Sequence, residues 1–169
     1  MNFPTLSLAS LPAELIELSS WETADASTVC ISFWQYAKIL LEFEAAGKIN
    51  AHTKKVLKEL YFSNGPILSD ELKDLVGDKD KIVTQGVHGL GGFGRDFLAA
   101  LHAGEASTAN PNGWPAVQFP VPYTIGNVFL QTFIDLVIDK KGGQIYFILR
   151  SRFRAALAQC YGDAVIKTW

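Results

Sequence analysis

The segment spanning residues 27–46 constrains the fold more than any other part of the chain. Ile31, Trp34, Ile39, Leu41 and Phe43 supply the apolar surface of a helix there, and they wrap around more than one of its sides. A surface helix needs a single apolar stripe, whereas a helix apolar over several faces has to be covered by neighbours. Ser27 stands where an N-cap is wanted, and Gly47 where a left-handed residue closes the last turn. The chain is therefore expected to pack other helices around this one.

Candidates for those helices are punctuated along the sequence. Ser10, Pro12 and Glu14 read as cap, first-turn proline and dipole-favoured acid of a short helix reaching about residue 19. Asn50 caps a helix over 51–62, with Val56, Leu57, Leu60 and Tyr61 inward and Lys54, Lys55, Lys58 and Glu59 on its wet side. Ser63-Asn64-Gly65-Pro66 ends it by turn chemistry. A short helix opens at Ser69 and stops at Gly77, and another covers about 93–103 and closes at Gly104. Residues 124–141 and 144–161, separated by Gly142-Gly143, carry apolar residues at intervals of three and four.

The expected architecture is mainly α: one globular domain over 1–169, a bundle of six or seven helices. Within 128–154, however, Ile134, Leu136, Ile138 and Ile145, Phe147, Leu149 also alternate at period two, so an α+β fold with a hairpin there is the alternative. The helical reading is preferred because each segment exceeds the length of an average strand.

Composition closes several classes. At 49% apolar, 19% charged and net charge −2, the chain is neither disordered nor enveloped in a basic field. Neither nucleic acid nor membrane is expected as a partner. The longest apolar stretch, 128–138, is interrupted by Gln131, Thr132 and Asp135 and does not read as a bilayer span. Two distant cysteines, Cys30 and Cys160, make no disulfide framework, and the first residues lack a signal-peptide pattern, so a reducing, cytoplasmic setting is expected.

The most suggestive motif is Gly86-Val87-His88-Gly89-Leu90-Gly91-Gly92-Phe93-Gly94-Arg95. Its Gly89-x-Gly91-x-x-Gly94 spacing matches a dinucleotide fingerprint, which requires a buried strand before it and an acid about 20 residues beyond. Residues 82–84 make a poor strand, and 106–134 contain neither Asp nor Glu, so that reading fails. What remains is a glycine turn at a helix start, either a close approach of two elements or a set of bare backbone N–H groups for an anion, with Arg95 and His88 beside them. Residues 105–122 form a Gly/Pro-rich loop carrying Trp114, and loops of that length are often functional. The expected ligand-binding set is His88, Gly91, Gly94, Arg95, His102 and Trp114, around an aromatic pocket.

Other chemistries leave no trace. His52, His88 and His102 form no metal-ligand spacing, no Gly-x-Ser-x-Gly elbow occurs, and no motif names a cofactor. Asp135 and Asp139 stand one helical turn apart, as paired carboxylates or as a wet stripe. Charge, by contrast, is segregated: 1–46 hold six acids and one base, whereas 140–169 hold six bases and one acid. Arg150 and Arg154 are accordingly expected either to meet a partner or to neutralise the acidic end of the same chain. The function expected is that of a small non-enzymatic binding or regulatory protein, its partner another protein or a second copy. The alternative is a small enzyme or ligand-binding protein with an aromatic pocket between the 86–96 turn and the 105–122 loop.

Overall fold

The computed structural model describes residues 31–63, 65–76, 90–116, 132–138 and 144–169. Among them the chain is mainly helical, with helices α1 (Phe33–Ala45), α2 (Ala51–Phe62), α3 (Ser69–Val76), α4 (Leu90–Ala103), α5 (Ser151–Cys160) and α6 (Asp163–Ile166). Three short strands, β1 (Ile67–Leu68), β2 (Ile134–Ile138) and β3 (Ile145–Leu149), form an antiparallel sheet in the order β1-β3-β2. The expected helix near residues 10–19, the Asp78-Lys81 loop and His88 lie outside the described residues.

Helix α1 is the covered central helix its sequence implies. Its cap is Ser32 rather than Ser27: Ser32 Oγ accepts from the Gln35 N–H at 3.2 Å, and Gln35 Oε1 accepts from the Ser32 N–H at 2.7 Å. This reciprocal pair explains why two polar side chains are buried at the start of an apolar helix. At the other end Gly47 takes φ +67°, the Gly47 N–H donates to Glu44 O, and the Lys48 N–H donates to Phe43 O. That is a Schellman closure, which needs a residue without Cβ strain. Asn50 caps α2 as expected, its side chain accepting from the Thr53 N–H at 2.8 Å.

Six aromatic rings interlock at the centre. Tyr36 and Phe43 come from α1, Phe93 and Phe97 from α4, Phe153 from α5, and Phe133 from the residue before β2. Neighbouring rings stand 5.2–6.1 Å apart, most of them edge-on. Such pairs contribute about 0.5–1.5 kcal/mol each beyond area burial. The Tyr36 hydroxyl, fully buried, donates to Thr132 O at 2.5 Å, so the cluster contains a polar tether as well as packing. Helix α5 packs along α1, where Ala37, Ala156 and Cys160 are all small and buried and Cys160 Sγ reaches Ala37 O at 3.6 Å.

The helical reading of 124–141 and of the start of 144–161 is corrected over the described residues 132–138 and 144–149. Residues 134–138 and 145–149 are strands of a hairpin, paired from Ile134↔Leu149 to Ile138↔Ile145, and only 151–160 are helical. In a nearly continuous apolar run both periods fit, and β-branched Ile134, Val137, Ile138, Ile145 and Ile148 tip the balance to extended backbone. Ile67, Phe147, Leu149 and Ile134 are buried, and their pairing across the three strands puts them on one face. The carboxylate pair expected one helical turn apart is lost with the helix, because Asp135 belongs to β2 and Asp139 lies outside the described residues.

Candidate surface site at the tryptophan pair

The 105–122 segment, expected to be a structureless loop, is closed over its described part, residues 105–116. Beyond Gly104 the chain leaves α4, loops out and returns, so that the Trp114 N–H donates to Gly104 O at 3.0 Å and the Ala106 N–H donates to Trp114 O at 2.8 Å. Inside the loop Ser107 and Asn110 exchange backbone hydrogen bonds, and the Asn110 amide group donates to Gly104 O and Glu105 O. Gly113 is required for the return. A Cβ there would lie 2.5 Å from Ala106 N and from Glu105 C, which are backbone atoms that cannot step aside. The result is a compact loop with its ends together, the kind often used for recognition.

Trp114 locks that loop to the scaffold. Its indole N–H donates to Leu101 O at 2.8 Å, satisfying a carbonyl of the last turn of α4 that has no helical partner. Its ring covers Gly104 so closely that a Cβ there would meet Trp114 Cζ2 at 1.9 Å. On the other side it meets Trp34, in the first turn of α1, edge to face at 5.6 Å and 86°. Both indoles are half-buried, resting on the core with part of each ring in water. Lys38, one turn along α1 from Trp34, holds its ammonium 5.2 Å from the Trp114 ring and 6.0 Å from the Trp34 ring, and pairs with Glu42 at 3.5 Å. Two rigid indoles, an ammonium and a carboxylate thus share one surface patch.

The expected ligand-binding residues are dispersed by comparison. Gly91 and Gly94 lie inside α4, and no glycine of that helix has a positive φ, so the strained glycine turn is corrected to helical backbone. Gly94 is buried, which fits close packing of α4. Arg95 and His102 stand two turns apart on the exposed side of α4. Arg95 pairs with Asp96 at 3.1 Å, and His102 Nδ1 lies 2.8 Å from Glu105 Oε1. Exposed pairs of this kind contribute little. Of the set, only Trp114 sits in the patch. Trp34 and Lys38 were missed because Trp34 reads as core; their i,i+4 spacing is the signal that pairs them.

The two arginines, expected either to meet a partner or to neutralise the acidic end of the chain, both engage their own fold. Arg150 is 5% exposed, at the N-cap of α5. Arg154 donates through Nη2 to Leu60 O at 3.0 Å and through Nη1 to Tyr61 O, capping the carbonyl end of α2 with a cation. Burial pulls this guanidinium below its ordinary value. Beside it the Tyr61 hydroxyl donates to Asp163 at 2.5 Å, and burial with that hydrogen bond pushes the phenol up to about 12. Trp169 docks on Tyr161, ring centroids 4.7 Å apart, and its carbonyl accepts from Lys58 at 3.0 Å. Cys160 is a core residue whose thiol burial pushes up to about 12, far from nucleophilic range.

Among the described residues no three His, Cys, Asp or Glu side chains are grouped to hold a metal ion, and no helix is long and apolar enough to cross a membrane. In comparisons with known proteins the chain matches no family model, no curated protein and no solved structure.

Proposed function

We propose that the protein is a non-enzymatic contact module that binds a protein partner through the Trp34–Trp114 face. The observation that carries this reading is the pair of half-buried, orthogonal indoles on rigid supports, one on α1 and one on a loop tied down at both ends. Tryptophan is enriched where binding energy concentrates, since it offers a large apolar area at little entropic cost. Here that cost is lowered further because Trp114 is already fixed by its hydrogen bond to Leu101. Lys38 and Glu42 give the patch a charged margin, as a polar rim surrounds an apolar centre.

The test is site-specific photo-crosslinking with a benzophenone amino acid in place of Lys38, in the cells that make the protein. A discrete adduct that disappears when Trp34→Ala is added, with helicity by circular dichroism unchanged, is the expected result. Adducts that persist in the Trp34→Ala background would refute the assignment of this face.

A further inference from the structure

A second surface carries more cationic than anionic side chains among the described residues. On α2, Lys55, Lys58 and Phe62 are spaced i, i+3 and i+7, which puts them within one narrow stripe of the helix. Lys167, just beyond α6, reaches over the Phe62 ring with its ammonium 5.8 Å from the centroid. Phe62 is 39% exposed, one of two large apolar side chains left so open among the described residues. Ion pairs engage Lys38, Lys54, Lys73 and Arg95, whereas among the described residues no side-chain ion pair engages Lys55, Lys58 or Lys167. Lys58 donates to Trp169 O at 3.0 Å.

Two carboxylates belong to the same elements. Glu59 is the one acid of α2, and Asp163 of α6 accepts from Tyr61. Arg154, facing inward on the α2 carbonyls, adds another positive charge behind the stripe. The face therefore keeps an excess of positive charge on a chain whose net charge is −2. Segregated charge of this kind is a recognition surface, because complementary potential steers encounter and rejects like-charged partners.

We propose that the Lys55–Lys58–Phe62–Lys167 face docks an acidic amphipathic segment of a protein partner, its carboxylates on the three ammonium groups and an apolar side chain on Phe62. The stripe covers two helical turns, which matches a short helix laid alongside it. Nucleic acid is disfavoured as the occupant. Arg154, the guanidinium held at the end of α2, is spent on backbone carbonyls, and three lysines neutralise too few phosphates for stable binding.

The experiment uses the full chain and, as probe, a fluorescent peptide with glutamates and leucines at helical spacing. Binding by anisotropy should weaken as salt is raised. The Lys55→Glu, Lys58→Glu double variant should weaken it by about tenfold or more, since like charges then oppose one another. Phe62→Ser should weaken binding without altering its salt dependence, and Arg95→Glu, on the exposed side of α4, should leave it unchanged. Thermal melts confirm that each variant is folded; Lys55, Phe62 and Lys167 are exposed, so their replacement spares the core. No binding by the parent chain overturns the proposal. So does equal binding by the double variant, or equal binding of the matched lysine-for-glutamate peptide. Stronger, equally variant-sensitive binding to single-stranded RNA or to anionic vesicles overturns it in favour of a phosphate-bearing partner.

Discussion

Replacing Gly104 by alanine should break the tryptophan patch without touching either tryptophan. Gly104 does not have a positive φ, so its backbone suits alanine, and the substitution by itself would stabilise by about 0.4–1 kcal/mol through the unfolded chain. The added Cβ, however, would lie 1.9 Å from Trp114 Cζ2, 2.2 Å from Cη2 and 2.5 Å from Cε2. The indole has to leave. Its departure forfeits the hydrogen bond to Leu101, about 1 kcal/mol, and the ring contact with Trp34, about 0.5–1.5 kcal/mol. Partial exposure of the indole costs about 1–2 kcal/mol more. The net expectation is a loss of about 1.5–4 kcal/mol. A double-mutant cycle isolates the cause: urea unfolding followed by circular dichroism for the parent, Gly104→Ala, Trp114→Ala and the double variant. In the Trp114→Ala background the alanine at 104 should be neutral or mildly stabilising, giving a coupling of about 2 kcal/mol or more. The same loss in both backgrounds would show that the indole contact is not what forbids a side chain at 104.

Other consequences can be measured on the same protein. Gly47→Ala meets no steric contact but must hold φ +67°, so it should cost about 1–2 kcal/mol in urea unfolding, with Gly47→Asn costing less. Arg154→Met keeps the buried stem and leaves the Leu60 and Tyr61 carbonyls uncapped; a loss of about 1–2 kcal/mol is expected, and unchanged stability would contradict its role as the cap of α2. Alkaline titration should show two late tyrosines. Tyr61 is pushed up to about 12, and burial with the hydrogen bond to Glu44 raises Tyr161 well above its ordinary value. The folded state then holds these phenolic protons more tightly than the unfolded chain, so Tm should be steady below pH ~10 and fall as pH rises through the range above it. Tyrosinate absorbance in which all five tyrosines ionise together near pH ~10 in the folded protein would contradict this.

How much of this was legible depends on the kind of signal each element carries. Caps and stops are local chemistry, so Asn50, Gly47 and the α2 boundaries follow from the sequence, whereas the reading of Ser27 as the cap of α1 overlooks Ser32-x-x-Gln35, which spells a capping box. The 134–149 hairpin was visible only as an alternative, because its apolar run satisfies both periods and tertiary pairing with β1 decides between them. For the site, Trp114 stood out in its loop, but nothing local tells that Trp34 lies against it or that Asn110 and Gly113 fold the loop shut. Those contacts join α1 to the end of α4, far apart in sequence. Arg150 and Arg154 were read by charge alone; the burial of Arg150 and the carbonyl partners of Arg154 on α2 come from the same long-range packing.

The most direct test of the contact-module account is titration calorimetry between this protein and the partner recovered by crosslinking at position 38. If the Trp34–Trp114 face carries the binding energy, Trp34→Ala should weaken affinity by about 30-fold or more, the size of a ~2 kcal/mol hot spot. Arg95→Ala, on the exposed side of α4, should change it less than about twofold. Parent-like affinity for a folded Trp34→Ala protein, or loss of binding on Arg95→Ala, would contradict the account.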